Sequence, residues 1–468
     1  MNKGLPITRR GLLSAGGCAG VGLTLPPLFS GCDNTPQASG TVYQTRMNLT
    51  AEERDQLEGG QGPTMKKIME TLCNYGDVFG ATNFVPLDQP IHSVASFALL
   101  FLGPMFDIMD ELKREGYKTT MPFTANPRPT DYDNVDVGAL ESASFGVMFP
   151  GQSGFENDLR SLGMRTDKPF SCGCYQPEVG NLPGRGDIMC WSESSAVSFA
   201  NSVLGARTNR NSGITDFFMG ILGKTPYFGL LTDEGRRATW TVDIRTSKKP
   251  DSWVLGAAIG GAVRGDVPYI RGLDQWIGSE LNEENKSWLK DFGAAGASNG
   301  AIGLYHVDNL TPEAKDYGES LVKSDARTLV VDDAMLNATV RSFETTWRTG
   351  SPELCIIGCP HNSLYQLNEW TGKIEDALSD ARRSRVAVKT ILVAAPQTID
   401  KFKQDRSTYN RLMATGAEVG SMCALMHCQN PLISGQRILT NSSKLRHYSS
   451  ARYAPAPVVL NAAVTGGM

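Results

Sequence analysis

The segment CGCYQPEVGNLPGRGDIMCWSESSAVSFANSVLGARTNR, residues 172–210, is the most informative part of this chain. It combines a Cys-x-Cys pair, a loop rich in Gly and Pro, a cluster of acidic and hydroxyl side chains, and a basic end. A core segment repeats apolar residues at a period of about 2 or 3.6 residues, and this segment does not. The mixture therefore indicates a site that carries chemistry. The alternative is a loop and a capped helix with an incidental polar surface.

The same segment resembles the catalytic subunit of the aconitase X family of dehydratases. The matching pattern comprises the Cys-x-Cys pair, Gly-Asn-x-Pro at residues 180–183, Trp-x-Glu-Ser-Ser at residues 191–195, and NSVLGARTNR at residues 201–210. The resemblance extends over most of the chain, from LTAEER at residues 49–54 to TNSSK at residues 440–444. It implies an α/β fold with an aconitase-like, multi-layered α/β/α architecture and mainly parallel sheets.

Composition limits the classes of function. The chain has 468 residues, of which 41% are hydrophobic and 20% charged, as is typical of a soluble globular enzyme. A net charge of −4 without a long basic run argues against nucleic acid as a partner. Ten cysteines without regular spacing do not form the pattern of a disulfide scaffold, and five histidines without His-x-x-x-His spacing argue against a zinc site built from histidines.

The amino terminus predicts export. Residues 1–32 contain the twin-arginine pattern TRRGLL at residues 8–13, followed by an uncharged stretch, and we interpret them as an export signal. A transmembrane helix is the alternative, but Gly and Pro residues disfavour it. The stretch ends in LFSGC at Cys32, which resembles a lipoprotein box. Residues 33–46 are then a flexible tether. We expect a protein at the periplasmic face of the membrane, with Cys32 as a candidate lipid anchor.

Residues 47–468 form the predicted catalytic region, in which β-rich runs alternate with helical segments. This alternation indicates α/β layers with mainly parallel sheets. The strand candidates are residues 82–87, 119–123, 239–245, 301–306, 354–357, 386–394 and 436–440. The helix candidates are an entry capped at residues 50–53, then residues 64–75, 96–115, 363–380 and 400–413.

Two segments of this region have other interpretations. Residues 131–156 are interpreted as an inserted loop, and residues 293–300 as a Gly-rich loop or a helix turn of small residues. Functional side chains in such folds collect at the carboxyl ends of strands. We therefore expect Cys359, His361 and Lys444 to lie at such an edge.

The resemblance implies an iron–sulfur cluster, of the four-iron or two-iron type, held by three cysteines so that one iron stays open to substrate. The matching cysteines are Cys174, Cys359 and Cys423, with Cys172 as the reserve ligand. Taken singly, a cysteine is more often a small buried hydrophobic residue, but the combination favours the cluster. A structural zinc site that uses the same thiols is a rival hypothesis.

The resemblance also assigns the residues that act on substrate. Glu193, Ser194 and Lys444 are the implied catalytic residues, with Glu193 as a proton acceptor and Lys444 as a compact positive charge for an acid. The implied substrate contacts are Ser96, Asn126, Pro127, Arg207, Arg210 and Ser443. The two arginines have a structural alternative, in which they bond main-chain carbonyls and a structural carboxylate.

One departure from the family pattern concerns the run QPIHSV at residues 89–94. Relatives carry a histidine one position earlier and a glycine where this chain has Val94. Glycine allows a close approach of backbone to substrate, and valine does so far less readily. This departure leaves the substrate, and activity itself, in question.

The resemblance completes the functional hypothesis. The family finishes its active site with a small swivelling domain, and this chain ends at Met468, soon after Lys444. We therefore expect a separate small subunit as partner. The predicted function is a hydro-lyase that removes water from a small hydroxy acid, with a substrate like cis-3-hydroxy-L-proline favoured and mevalonate 5-phosphate as the alternative. The rival from another class is an exported, non-catalytic binding protein that keeps the fold.

Overall fold

A computed structural model of the chain describes residues 43–98, 103–343, 347 and 349–468. The predicted export signal and lipoprotein box lie outside the described residues, as does most of the predicted tether. Residues Gln44–Met468 form one unit by their internal contacts. Among the described helices, none has the length and apolar character needed to cross a membrane.

The longest strands of the described residues lie in the two main sheets. In chain order they are β1 (Phe84–Pro86), β2 (His92–Ser93), β3 (Thr124–Ala125), β4 (Lys224–Pro226), β5 (Ala238–Arg245), β6 (Pro268–Arg271), β7 (His306–Val307), β8 (Val322–Asp332), β9 (Leu354–Asn362), β10 (Lys389–Ala394), β11 (Glu418–Gly420), β12 (Ile438–Thr440) and β13 (Arg452–Tyr453).

Helices surround these strands. In chain order, within the described residues, they are α1 (Ala51–Glu58), α2 (Pro63–Phe79), α3 (Gly103–Arg114), α4 (Ala139–Met148), α5 (Gln152–Ser161), α6 (Ser194–Phe199), α7 (Gly213–Leu222), α8 (Ser252–Val263), α9 (Asp274–Ile277), α10 (Glu283–Gly300), α11 (Pro312–Tyr317), α12 (Asp333–Ser342), α13 (Leu364–Asp380), α14 (Pro396–Gln404), α15 (Arg406–Ala414), α16 (Ala424–Gln429), α17 (Pro431–Ser434), α18 (Ser443–Tyr448) and α19 (Ala456–Thr465).

Two parallel sheets organise the fold. The larger has five strands in the order β11-β10-β9-β12-β13, and the smaller has four strands in the order β7-β6-β5-β8. The central strand β9 is buried along its whole length, as expected for a parallel strand covered on both faces. Parallel sheets layered with helices confirm the predicted α/β fold class.

Helices α8 and α10 approach each other closely through glycines. A Cβ atom added to Gly256 would lie 2.2 Å from the carbonyl oxygen of Phe292, and one added to Gly260 would lie 2.7 Å from that of Gly296. Residues 293–300 are therefore the C-terminal part of α10, which agrees with the helical alternative for this segment. The close packing places α10 beside α6 and α18, which both carry site residues.

Most of the predicted elements are confirmed in position. The predicted capping pattern is a capping box, in which Thr50 Oγ1 accepts from the Glu53 N–H at 3.2 Å and Glu53 Oε2 accepts from the Thr50 N–H at 2.9 Å. Strands β5, β9, β10 and β12 and helices α2 and α13 coincide with predicted segments. Strong periodicity and clear capping residues explain these successes.

The prediction of an inserted loop at residues 131–156 is wrong, because α4 and α5 lie there. Glu141 accepts from the Gly138 N–H at 3.1 Å and so caps α4, and Phe145 is buried in the core. Of the predicted helix at residues 96–115, α3 covers Gly103–Arg114 and residues 96–98 are not helical, while residues 99–102 lie outside the described part of the chain.

Three other boundaries differ from prediction. The strand predicted at residues 119–123 lies later, as β3, and the one at residues 301–306 is only β7. The helix predicted at residues 400–413 is split into α14 and α15 at Asp405, whose side chain accepts from the Thr408 N–H and caps α15.

Candidate active site

The carboxyl edge of the five-stranded sheet brings Cys359 and Lys444 together. Cys359 lies near the end of β9, and Lys444 lies in the first turn of α18, just after β12. Because β9 and β12 are parallel neighbours, their carboxyl ends meet at the same edge. Ser442 Oγ donates a 2.6 Å hydrogen bond to the Cys359 carbonyl oxygen and joins the two turns. This placement agrees with the prediction.

His361 joins this edge to two other segments. Its Nε2 lies 3.1 Å from the carbonyl oxygen of Met422, next to Cys423, and its Nδ1 lies 3.2 Å from Ser171 Oγ. Its backbone N–H donates to Cys172 Sγ at 3.3 Å. Burial lowers the pKa of His361 to about 4, so the ring is neutral at pH 7. With a carbonyl opposite Nε2, the network places the single ring proton on that nitrogen.

Three thiols converge here. Burial raises the pKa of Cys172, Cys359 and Cys423 to about 12 each. The three thiols also act on one another. Cys359 contributes to the raised pKa of Cys172, Cys423 contributes to that of Cys359, and Cys172 contributes to that of Cys423. Each thiol therefore lies near another of the three. Cys172 and Cys423 are also partly exposed to solvent. Cys174 also lies near Cys172, which is among the smaller causes that raise its pKa, but Cys174 is completely buried in the hydrophobic core around the four-stranded sheet.

The chemistry of these donors fits an iron–sulfur cluster. All three are free cysteines, and the Lys444 ammonium lowers the pKa of Cys172 and Cys359 against the larger effect of burial. Within the described residues, no three His, Cys, Asp or Glu side chains are grouped to hold a single metal ion. A tetrahedral zinc site needs its sulfurs about 2.3 Å from one ion. The thiol arrangement therefore gives no support to the zinc hypothesis.

A buried carboxylate and a buried ammonium lie beside the thiols. The Lys444 ammonium contacts Glu193 Oε1, and lies 3.2 Å from Ser195 Oγ and 3.5 Å from Ser194 Oγ. Glu193 is the N-cap of α6, where Oε1 accepts from the Ser195 N–H at 3.1 Å and from Ser195 Oγ at 2.7 Å. Asn126 Nδ2 donates to Glu193 Oε2 at 3.1 Å. All three predicted catalytic residues therefore lie together.

Each charge of the Glu193–Lys444 pair stabilises the ionised form of the other. Burial by itself raises the pKa of Glu193, but the Lys444 ammonium and hydrogen bonds from Ser195 and Asn126 outweigh it and lower that pKa to about 2. Burial lowers the pKa of Lys444, but Glu193 and the Cys359 thiol outweigh it and raise that pKa. At neutral pH the pair is therefore ionised, with Glu193 as an acceptor only.

A directed chain of hydrogen bonds ends at Glu193. Asn181 Nδ2 donates to Thr124 Oγ1 at 2.9 Å, and Thr124 Oγ1 lies 2.8 Å from His92 Nδ1. His92 Nε2 lies 3.1 Å from Asn126 Oδ1, and the Asn126 amide donates to Glu193. Burial lowers the pKa of His92 to about 4, so it is neutral. Each donor then has one acceptor when the His92 proton is on Nε2. His92 and Thr124 were not among the site residues predicted from the sequence.

Comparison with known proteins identifies the family. The model of the aconitase X first domain matches residues 46–234, and that of the aconitase X second domain matches residues 238–341. The chain belongs to the aconitase X family. Members of this family are dehydratases, which confirms the predicted enzyme class, and the family suggests an iron–sulfur cofactor.

Relatives of known activity align over most of the chain. The phosphomevalonate dehydratase large subunit of Thermococcus kodakarensis is 34% identical over 326 residues, which is 69% of this chain and 76% of that protein. The cis-3-hydroxy-L-proline dehydratase of Pseudomonas aeruginosa is 28% identical over 431 residues, 89% of this chain and 70% of that protein. The crystal structure of Thermococcus kodakaraensis aconitase X in its holo-form matches with a TM-score of 0.73 and 28% identity, covering 89% of this chain and 100% of that chain.

Some residues with predicted substrate contacts lie near this aconitase X site. Ser96 Oγ donates to the carbonyl oxygen of Pro127 at 3.2 Å. Both residues are buried, and Pro127 follows Asn126 in the chain. Ser443 precedes Lys444, but its hydroxyl donates to the carbonyl oxygen of Trp253 at 3.4 Å. The hydroxyls of Ser96 and Ser443 thus bond main-chain carbonyls in this structure.

The structure does not bring Arg207 and Arg210 to the pair. Arg207 donates to the carbonyl oxygen of Leu231 at 2.7 Å and pairs with Asp233. Arg210 donates to the carbonyl oxygen of Ala301. These contacts match the structural alternative, in which the arginines bond main-chain carbonyls and a structural carboxylate.

Val94, the departure from the family pattern, packs beside α7. Its backbone N–H donates to Ser192 Oγ at 2.9 Å, and its Cγ1 lies against Gly213, where an added Cβ would be only 3.4 Å away. The valine side chain therefore fills space against the start of α7, one residue from the strand that carries His92.

Proposed function

We propose that this chain is the large subunit of a hydro-lyase that removes water from a small hydroxy acid. The observation that carries the proposal is the buried Glu193–Lys444 ion pair beside three converging thiols. An isolated ion pair in a core gains little net stability. This pair joins two segments that are distant in sequence, and free thiols lie next to it. Both features favour a chemical role.

We propose Cys172, Cys359 and Cys423 as the cluster ligands. Convergence of these three thiols, and the partial exposure of Cys172 and Cys423, support this set. Cys174 is completely buried, and neither Cys359 nor Cys423 is among the causes of its raised pKa, whereas Cys172 is linked to both, so the reserve ligand replaces the one favoured by family spacing. When bound, an iron–sulfur cluster supplies a Lewis-acidic iron for the leaving hydroxyl.

We propose that Lys444 binds the carboxylate of the substrate and that Glu193 takes the proton. With a pKa of about 2, Glu193 is a poor base while Lys444 is its partner. A substrate carboxylate that pairs with Lys444 removes much of this stabilisation, and burial then raises the pKa of Glu193. Binding of an acid thus creates the base that acts on it. Ser194, within reach of the same ammonium, orients the substrate.

The preferred substrate in this proposal is an acid like cis-3-hydroxy-L-proline. Such a substrate carries one anionic group, which Lys444 is placed to bind. A phosphorylated substrate needs further cations, and Arg207 and Arg210 bond elsewhere. Mevalonate 5-phosphate is the second candidate, favoured by the 34% identity to the Thermococcus kodakarensis phosphomevalonate dehydratase large subunit.

We also propose a separate small subunit as partner. The support is the name "large subunit" carried by relatives that are 29–34% identical to this chain. A non-catalytic binding protein is the rival, and the ionised pair, the thiols and the directed hydrogen-bond chain argue against it. None of these is needed merely to bind an acid.

The test is anaerobic reconstitution of the chain with iron, sulfide and a small subunit of the aconitase X family. We expect iron–sulfur absorbance and dehydration of cis-3-hydroxy-L-proline, which is measured as the disappearance of substrate. Mevalonate 5-phosphate is tested in parallel. Cys359→Ala is expected to abolish both absorbance and turnover, with Cys355→Ala on the same strand as the matched control. Absorbance that survives Cys359→Ala would sink the proposed ligand set, and binding of either acid without turnover would favour the binding protein.

Export remains a separate proposal that rests on sequence alone. We propose that the twin-arginine motif directs the folded enzyme across the membrane and that Cys32 anchors it. The double substitution Arg9→Lys and Arg10→Lys is expected to retain the protein in the cytoplasm, and Cys32→Ser to release it from the membrane fraction. Fractionation and immunoblotting measure both, and wild-type distribution of the double variant would contradict the proposal.

A further inference from the structure

A second buried lysine lies near Cys359, on a helix that the family pattern did not single out. Lys290 is in α10 and only 2% exposed. Its ammonium donates to the carbonyl oxygen of His361 at 3.0 Å and lies 3.1 Å from Asp291 Oδ1. A buried lysine is rare unless it is paired, and here it reaches across to another element.

The residue that Lys290 contacts is the hub of the thiol site. His361 lies two positions after Cys359, and its backbone N–H donates to Cys172 Sγ. Gln176 Nε2 donates to the same carbonyl oxygen at 3.3 Å and to that of Asn362 at 3.2 Å. Movement of the His361 backbone would therefore displace two thiols at once.

The same face of α10 makes further contacts with this turn. Ser287 Oγ lies 2.8 Å from Ser363 Oγ, and Gln366 Nε2 donates to Asp291 Oδ2 at 3.0 Å. Lys290 and Asp291 lie three and four residues after Ser287, so all three residues share one helix face. α10 itself is held rigidly by its glycine contacts with α8. The turn after Cys359 thus docks on a fixed surface.

We infer that Lys290 is a positioning residue of the active site, which holds the Cys359–His361 turn and places a positive charge near the Cys359 thiol. The inference rests on the proposed role of Cys172 and Cys359 as cluster ligands. Lys444 and Lys290 are both buried, and the ammonium groups of both act on Cys359. The negative charge of bound thiolates is then offset by two cations, as a buried anionic group requires.

The chain offers a matched control. Lys286 lies one turn earlier in α10, but its side chain is 38% exposed and its ammonium pairs with Glu283 at 3.0 Å. Lys290→Met and Lys286→Met therefore remove the same charge from the same helix. Only the first removes a contact with the thiol turn.

The first measurement is iodoacetamide labelling of the full chain, purified without oxygen and followed by mass spectrometry for each cysteine. Alkylation requires the thiolate, and loss of a nearby positive charge by itself lowers the thiolate fraction, so the rates are compared per thiolate from the pH dependence of labelling. On this basis we expect Cys172 and Cys359 in Lys290→Met to react roughly tenfold faster, the change that corresponds to loss of a hydrogen bond from a charged donor. Cys174 and Cys190, buried in the core, and every cysteine of Lys286→Met should react as in the wild type. Unchanged rates at Cys172 and Cys359, or equal acceleration at all cysteines, would overturn the inference.

The second measurement is the midpoint potential of the reconstituted cluster. Loss of a nearby positive charge destabilises the reduced form, so Lys290→Met is expected to have a more negative potential than the wild type and Lys286→Met. Equal potentials in all three proteins would overturn the assignment whatever the labelling rates. If the wild type takes up no cluster, the proposed function fails, and the labelling rates still decide whether Lys290 positions the turn.

Discussion

Two buried ion pairs of this protein differ in a way that separates structure from chemistry. Arg236 is 1% exposed and binds Glu313 with two parallel hydrogen bonds of 2.7 and 2.9 Å. Its remaining donors bond Asn201 and the carbonyl oxygen of Leu230. The planar guanidinium is thus fully satisfied by fixed partners, which is the arrangement expected for a purely structural pair.

The Lys444–Glu193 pair is built differently. Its ammonium is a point charge that shares its donors among Glu193 and the hydroxyls of Ser194 and Ser195. Free thiols lie beside it, and hydroxyl partners can be exchanged for those of a ligand. A buried pair whose cation has replaceable partners can exchange one anion for another, whereas a saturated arginine pair cannot. The following predictions test this contrast.

The largest expected effect is that of Cys172→Ala. Loss of a ligand should remove the cluster from the reconstituted protein and abolish turnover, while Cys174→Ala should keep both, because Cys174 packs in the core. Iron and sulfide analysis and visible absorbance measure the outcome. A cluster that persists in Cys172→Ala and is lost in Cys174→Ala would restore the ligand favoured by family spacing.

Lys444→Met should lower kcat/KM by roughly a thousandfold. The substrate carboxylate loses its cationic partner, and substrate binding no longer changes the pKa of Glu193, the proposed base. The matched control is Lys286→Met, whose ammonium is exposed and remote from the pair. Steady-state kinetics on the reconstituted enzyme measure both. An activity within tenfold of the wild type would remove Lys444 from the mechanism.

Glu313→Gln should affect stability and leave chemistry alone. Removal of one partner leaves the Arg236 charge buried without compensation, which costs about 3–5 kcal/mol in comparable pairs. We expect a clear fall in Tm and, at a temperature where the variant is folded, kcat/KM within about threefold of the wild type. A large loss of activity in the folded variant would show that the two pairs are not separable.

The smallest expected effect is a pH dependence of stability. The pKa of Glu193 falls from 4.5 to about 2 on folding, so its contribution is present above pH 4.5 and lost as pH falls through 2. The contribution is on the order of 3 kcal/mol by the linkage relation. Denaturant unfolding of the wild type and Glu193→Gln between these pH values should give curves that converge towards low pH. Parallel curves would contradict the ionised pair.

The sequence predicted the outline of the fold wherever local pattern was strong. The capping residues of α1 and the apolar run of β9 are local features, and both elements formed where expected. The helices at residues 139–161 were missed because their glycines and polar residues resemble those of a loop. Burial of Phe145 and Phe155 in tertiary contacts, which the local pattern did not reveal, stabilises these helices.

The site could be predicted in part for the same reason. Family motifs located Glu193, Ser194 and Lys444, which the structure brings together across about 250 residues of chain. The family run at residues 89–94 contains a histidine one position before His92, so His92 stood out only as a departure from the pattern, and a lysine in a helix such as Lys290 has no distinctive pattern. Their roles depend on contacts with Asn126 and His361, which are distant in sequence.

Sequence alone determined the family, the α/β class and the set of residues able to do chemistry, because these depend on residue types and their local spacing. Tertiary structure decided which of those residues meet. It placed the Cys172 thiol at the backbone N–H of His361 and Cys174 in the core, and it placed Arg207 and Arg210 at main-chain carbonyls. Adjacent side chains of a turn can face opposite ways, and only packing against distant elements selects the one that lines a site.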